Sequence, residues 1–182
     1  FPTATPTPTQ APRPAPVLGM ATEVLGGKPD PKTVEAAIRA RLEEYGKQTS
    51  NEGPLYASQF IPQMVEATQK YPLFSANPYL IPQISILETS AGRNITRPNN
   101  LLNWGINYPG NNEAFSNMTP EEVLARAING MGERSPYYSK LRHGRKLSAQ
   151  DLAEFARTYE PANASYAGNL EQGIREFERF QR

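Results

Sequence analysis

Residues 77–92, NPYLIPQISILETSAG, constrain the fold more than any other stretch, because they are apolar around most of a helical circumference yet carry one carboxylate, Glu88. Leu80, Ile84, Leu87 and Ala91 share one face at helical spacing, and Ile81 and Ile86 widen it. The spacing therefore predicts a central, largely buried helix rather than a surface one. Asn77 is the expected N-cap with Pro78 at the first helical position, Gly92 is the expected C-cap, and Pro82 is expected to bend the first turns.

Glu88 falls beside the apolar face and near the C-terminal end of this helix. Desolvation and the negative end of the helix dipole both disfavour its charged form, and a carboxylic acid that stays protonated toward neutral pH is what a general acid requires. A second reading stands beside this one: Glu88 pairs with Arg93 or Arg97, or caps loop amides.

The next segment weighs on that choice. Residues 93–117 contain eight asparagines together with Gly105, Gly110, Pro98 and Pro109, a composition that breaks helix and favours turns or short hairpins. LLNWGINY, residues 101–108, is its only strand-like part. Asparagine amides hydrogen-bond N-acetyl and hydroxyl groups, and Trp and Tyr rings stack on pyranose faces, so this layout suits a sugar-cleaving cleft.

ILETSAG followed by NNLLNWGI resembles the ESxxGxS…NNLFGI pattern of glucosaminidase-type peptidoglycan hydrolases, relatives of lysozyme and of the lytic transglycosylases. Two later segments extend the resemblance over roughly residues 55–180. EAFSNMTPEEVLARAINGM is similar to the family segment in which an aromatic residue precedes a helix, and FARTYEPANASYAGNLEQGI to its closing Tyr, Pro, Tyr element. The resemblance implies that Glu88 is the catalytic acid, that Asn100 and Gly105 are the loop asparagine and glycine, and that Tyr159 lines the cleft. Asn103 and Trp104 depart from the family, which has Phe and a smaller neighbour there, and the GLMQ element of the lytic transglycosylases is absent.

With 182 residues and 38% apolar content, the chain supports one medium domain and a tail. Nineteen basic and eighteen acidic side chains nearly cancel, and no Lys/Arg cluster alternates with exposed aromatics, so nucleic acid is not an expected partner. No apolar run approaches the roughly 18 residues that span a bilayer. Cysteine is absent, which removes disulfides, zinc–thiolate sites and cysteine nucleophiles together. Residues 1–18 hold six prolines and four threonines and should sample extended polyproline-II conformations. With residues 19–29 they are expected to form a linker, and a first residue of Phe rather than Met suggests that a signal peptide or membrane anchor has been removed.

Beyond the linker, Asp30 and Pro31 should start a helix that Gly46 stops, with Val34, Ile38, Leu42 and Tyr45 inward, followed by a polar loop over 47–54. Phe60, Ile61, Met64, Val65 and Thr68 mark a second helix. Thr119-Pro120-Glu121-Glu122 reads as a capping box that opens another, Ser135-Pro136 opens a short one ended by Gly144, and Ser148 with Asp151 caps a further one. Tyr166, Leu170, Ile174 and Phe177 give the last, for about seven helices and one small β region.

His143, the single histidine, lies in a basic turn without partners at metal-site or triad spacing and is expected to be a solvated surface residue. A second carboxylate is the open question, because paired-acid glycosidases place their carboxyls about 5–5.5 Å or 6.5–9.5 Å apart. Glu113 is the acid of the Asn-rich lobe and the candidate. Without it, Glu88 alone can protonate the glycosidic oxygen while the substrate's N-acetyl group or C6 hydroxyl captures the oxocarbenium ion.

The sequence thus predicts a mainly α (α+β), lysozyme-like helical domain over residues 30–182 with a small irregular β lobe. It is expected to be a monomer exported to the bacterial cell envelope or beyond, with a membrane tether upstream of the linker as one arrangement. Its expected activity is cleavage of β-1,4 bonds in peptidoglycan glycan strands, with Glu88 as the catalytic acid and Glu113 as the candidate second catalytic carboxylate, Asn100, Trp104, Tyr108 and Tyr159 lining the cleft, and no metal or cofactor. The alternative is a catalytically inactive lysozyme-like module that binds glycan or a wall-assembly partner.

Overall fold

The computed structural model describes residues 27–50, 52–95, 99–105 and 111–181, with the backbone alone for 111–113. Nearly all of the expected linker, and Tyr108, lie outside the described residues.

Helix α1, Pro31–Thr49, opens as expected: the Asp30 carboxylate accepts the Thr33 N–H at 2.8 Å, and Pro31 occupies the first position. It runs through Gly46 and ends at Ser50, a left-handed residue with φ 49° whose N–H returns to the Gly46 carbonyl. Termination follows this αL closure, so Gly46 does not act as the stop. A short helix α2, Gly53–Ser58, replaces the end of the expected polar loop, and α3, Ile61–Lys70, buries Ile61, Met64, Ala67 and Thr68.

Helix α4, Pro72–Ala76, separates α3 from the central helix and changes the role of Asn77. Asn77 is not an N-cap. Its buried amide donates to the Leu73 and Arg145 carbonyls at 2.8 and 3.1 Å and accepts the Leu147 N–H at 2.8 Å, joining the α4 end to a segment almost 70 residues away.

Helix α5, Leu80–Thr89, is the central element, and eight of its ten residues are buried. Pro82 does not break it: at the third helical residue its missing N–H is one that the first turn leaves without a helical partner. The C-cap is Ser90 rather than Gly92, and Ser90, Ala91 and Gly92 take left-handed φ values of 50°, 58° and 104° in succession. Gly53 makes this turn possible, since a Cβ there would sit 2.4 Å from the Ser90 carbonyl oxygen and 2.6 Å from the Arg93 nitrogen.

Among the described residues there is no strand and the expected β lobe is not seen: Leu101–Gly105 is mostly turn, and residues 106–108 lie outside the described residues. Left-handed backbone at Asn99, Asn103 and Gly105, with φ of 62°, 48° and 65°, interrupts any extended ladder there. A short helix α6, Asn111–Ser116, follows.

Helix α7, Pro120–Asn129, carries the expected capping box, with Glu122 accepting the Thr119 N–H at 2.7 Å. It continues as a π turn, Gly130–Arg134, and a 3₁₀ segment, Pro136–Leu141, that buries Tyr138 and Leu141 but leaves Tyr137 exposed. Helices α8, Ala149–Tyr159, and α9, Tyr166–Glu178, complete a mainly α fold. α9 packs against α1, α5 and α8, so the central helix is enclosed by the end of the chain. Tyr79, just before α5, stacks on Phe177 of α9 with centroids 5.4 Å apart. Among the described residues no helix is long and apolar enough to cross a membrane.

The α8 cap gives a measurable pH dependence. Burial would raise the Asp151 carboxyl, but hydrogen bonds from the Ser148 N–H and hydroxyl and from Arg145 hold it at about 2 against an ordinary 3.8. Its depressed value means that the stabilisation is complete above the ordinary carboxylate range and lost as pH falls toward 2. Asp151→Ala should cost about 1–2 kcal/mol at pH 7, as losing a helix cap does, and much less at pH 2.5, read by urea denaturation at both values. An equal cost at both would show that the loss comes from packing. His143 sits beside this cap rather than free in solvent: its Nδ1 accepts the Arg145 N–H at 3.3 Å and its Nε2 lies 3.9 Å from Asp151.

Candidate active site

Leu87 and Glu88 are the partly exposed residues of α5, so the helix delivers one carboxylate from the core to the surface. Partial burial is the main cause that raises the Glu88 carboxyl above its ordinary value. The Tyr166 hydroxyl and the Asn103 amide oppose that rise, and the negative charge of Glu160, just past the end of α8, adds to it. Among the described residues no basic side chain pairs with Glu88. Arg93 is exposed, and Arg97 lies outside the described residues. A carboxylate left without a cation at this depth is held in place by neutral donors instead.

Asn103 supplies one of them. Its amide donates to the Glu88 carbonyl at 3.1 Å and lies 3.5 Å from Oε2, so it grips the helix end and grazes the carboxylate. Tyr166, at the start of α9, is the other. Its buried hydroxyl faces the carboxylate without closing a full hydrogen bond, and burial together with the charges of Tyr159 and Glu88 pushes its own ionisation far upward, so it stays a neutral donor.

The loop that carries Asn103 is pinned at three points. The buried Thr89 hydroxyl lies 2.9 Å from the Leu101 carbonyl and 3.0 Å from both the Ser85 carbonyl and the Gly92 N–H. Asn100 is 1% exposed; its amide accepts the Trp104 N–H and donates to the Trp104 carbonyl, both at 2.9 Å. The Tyr159 hydroxyl donates to the Leu102 carbonyl. Four of the five non-glycine residues with left-handed backbone among those described, Ser90, Ala91, Asn99 and Asn103, belong to this loop and the turn after Glu88. Such backbone persists where surrounding bonds over-determine it, as they do here.

Aromatic rings complete the wall. Tyr159 is stacked between Phe155 and Tyr166, with centroids at 5.3 and 6.0 Å, and Trp104 lies 6.1 Å from Tyr159 and 5.7 Å from Tyr138. The rings form a continuous path from the surface at Trp104 to the hydroxyl beside Glu88.

The structure thus brings Glu88, Trp104 and Tyr159 together. It places Asn100 beneath the surface with its amide committed to the backbone, which makes it a positioning residue rather than a group that lines the cleft. Tyr108 and the Glu113 side chain lie outside the described residues. Asn103, Glu160 and Tyr166 were missed in the sequence. Asn103 stands next to the tryptophan in an asparagine-rich loop, a signal that could have found it; Tyr166 reads by spacing as a core position of its helix, but as the second tyrosine of the closing Tyr, Pro, Tyr element it also carried a signal. Among the described residues no group of three or more His, Cys, Asp or Glu side chains is arranged to hold a metal ion.

No family model, curated protein sequence or solved structure matches the chain.

Proposed function

We propose that the chain is a lysozyme-like glycosidase of the cell envelope that cleaves β-1,4 bonds in peptidoglycan, with Glu88 as the proton donor. The observation that carries this reading is a half-buried carboxyl without a cationic partner among the described residues, raised above its ordinary value and facing an aromatic wall. A structural carboxylate at this depth would be expected to have a cation or several backbone amides, and a proton donor works better without them.

In this reading Glu88 gives its proton to the glycosidic oxygen as the C1–O bond breaks. The oxocarbenium charge is captured by the substrate's own N-acetyl oxygen or C6 hydroxyl, and the Glu88 carboxylate then takes a proton from the attacking water or hydroxyl. Trp104 offers a ring face for a pyranose, Asn103 holds the end of the helix at Glu88, and Tyr166 turns a neutral hydroxyl toward the carboxyl. The second reading, a module that binds glycan without cutting it, is favoured by one observation: the Tyr159 and Asn100 polar groups are spent on the backbone of the loop.

The pH profile of sacculus clearing tests the proposal. The active form is protonated Glu88, so activity should fall as pH rises through its raised pKa. Glu160 lifts that pKa, and Glu160→Gln should move the descending limb to lower pH by a fraction of a unit with the low-pH plateau unchanged. A limb that stays in place while the plateau collapses would make Glu160 a participant in the reaction, and clearing without a descending limb would remove Glu88 as the donor.

A further inference from the structure

A groove of about 570 Å³ opens beside Trp104, lined by Trp104, Arg126, Asn129, Gly130, Arg134 and Ser135. Its size falls within the range of about 300–1,000 Å³ typical of small-ligand clefts. We propose that this groove binds a carboxylate-bearing substituent of the glycan, held by Arg126 and Arg134, while the sugar backbone passes Glu88. The inference rests on the glycosidase reading for its substrate.

Three observations on the groove point to such a ligand. Arg126 and Arg134 bring two guanidinium groups to one groove, and among the described residues neither has an ion-pair partner. Arg126 is also steadied over the Phe115 ring at 5.7 Å, which limits the freedom lost on binding. The neighbouring Arg142 is committed instead, donating to the Gly130, Met131 and Ser135 carbonyls, so it braces the backbone of two lining residues and leaves the other two arginines to meet an anion. Glu133, the acid next to Arg134 in sequence, is not among the lining residues.

The second observation is the Asn129 side-chain oxygen, which is buried at the groove and has no donor among the described residues. A buried acceptor without a partner costs free energy until something supplies an N–H or O–H. A ligand that offers a carboxylate to the arginines and an amide N–H or hydroxyl to Asn129 satisfies all three of these groups. The third is the fit of Trp104 itself. A Cβ on Gly130 would lie 2.6 Å from its ring, so glycine lets the indole lie flat against the α7 end as one wall of the groove.

The two faces of residues 103–104 connect this groove to the reacting centre, because Asn103 touches Glu88 while Trp104 lines the groove. Peptidoglycan carries carboxylates beside its cleavable bonds from two sources, the peptide stem and, when the stem is removed, the lactyl ether of the acidic sugar. Chitin oligomers have neither.

The test compares wild type with the Arg126→Gln/Arg134→Gln double variant on intact sacculi, on amidase-stripped glycan and on chitin oligomers, reading bound protein and released fragments for each. The double variant should lose about tenfold in binding or apparent KM on carboxylate-bearing glycan, with the deficit shrinking at high salt, and match wild type on chitin oligomers. A deficit on intact sacculi alone assigns the stem, one on stripped glycan alone assigns the lactyl carboxylate that amidase frees, and one on both shows that the groove takes either carboxylate. Arg134→Lys in the Arg126→Gln background should restore part of the loss, which separates charge recognition from misfolding. A double variant indistinguishable from wild type on all three, or equally impaired on chitin, would overturn the inference and leave the glycosidase reading in place. If wild type neither binds nor cuts any of them, the glycosidase reading itself fails.

Discussion

Glu88→Gln is expected to lower glycan cleavage by about a thousandfold, within the 10²–10⁴ that general acid catalysis supplies, while making the protein more stable at neutral pH. The two effects have one cause. Burial raises the Glu88 carboxyl, so the folded state binds its proton more tightly than the unfolded chain does. The stability gained this way is complete below the ordinary carboxylate range and is lost as pH rises through the folded-state value. At pH 7 the wild type therefore carries a half-buried charge that glutamine lacks, and glutamine still accepts from Asn103. The variant should melt about 2–4 °C higher at pH 7, which corresponds to about 1 kcal/mol for a domain of this size, with the gap closing near pH 4. Calorimetry at the two pH values reads it. A variant that melts lower at pH 7 would instead identify Glu88 as a structural anion with a partner it needs.

Phe155→Ala should have the largest effect on stability, about 3–5 kcal/mol, as truncation of a fully buried aromatic does. Phe155 is 0% exposed and lies between Tyr138 and Tyr159, 5.4 and 5.3 Å from their ring centroids. Its loss also removes the ring that Tyr159 stacks on, and the Tyr159 hydroxyl holds the Leu102 carbonyl in the loop beside Glu88. Glycan cleavage by the variant should therefore fall severalfold even at temperatures well below its melting point. Chemical denaturation with an unchanged m-value, alongside activity at low temperature, separates the two effects. A cost under 1 kcal/mol would show that the aromatic path does not support the site.

The sequence is most legible where one residue type does one local job. Thr119 with Glu122, Ser148 with Asp151, and Asp30 with Pro31 are caps whose chemistry lies within four residues, and each forms as the pattern implies. The buried character of α5 was equally readable, because an apolar surface that wide has to be enclosed. Termini set by backbone conformation were not: Ser50 and Ser90 adopt αL closures where the nearby Gly46 and Gly92 were the obvious stops. Asn77 misled for a different reason, since its partners at Leu73, Arg145 and Leu147 are mostly nonlocal. The same limit explains the site. Glu88 stood out as a carboxylate on an apolar helix, but Tyr166 and Glu160 approach it only because α9 packs over α5 and α8 packs on α9, contacts that no local spacing encodes. Asn100 looked like a ligand-binding amide and is a backbone clamp, because asparagine suits both tasks.

The most direct test of the account is mass spectrometry of the soluble products released from purified peptidoglycan sacculi by wild-type and Glu88→Gln protein, with the sedimented sacculi assayed for bound protein. The account predicts that both proteins bind and that wild type alone releases fragments. Anhydro-muramyl ends would assign intramolecular capture by the C6 hydroxyl, and reducing ends would assign hydrolysis and show which sugar is attacked. Binding by both proteins with no fragments from either would contradict a catalytic Glu88 and leave a glycan-binding module.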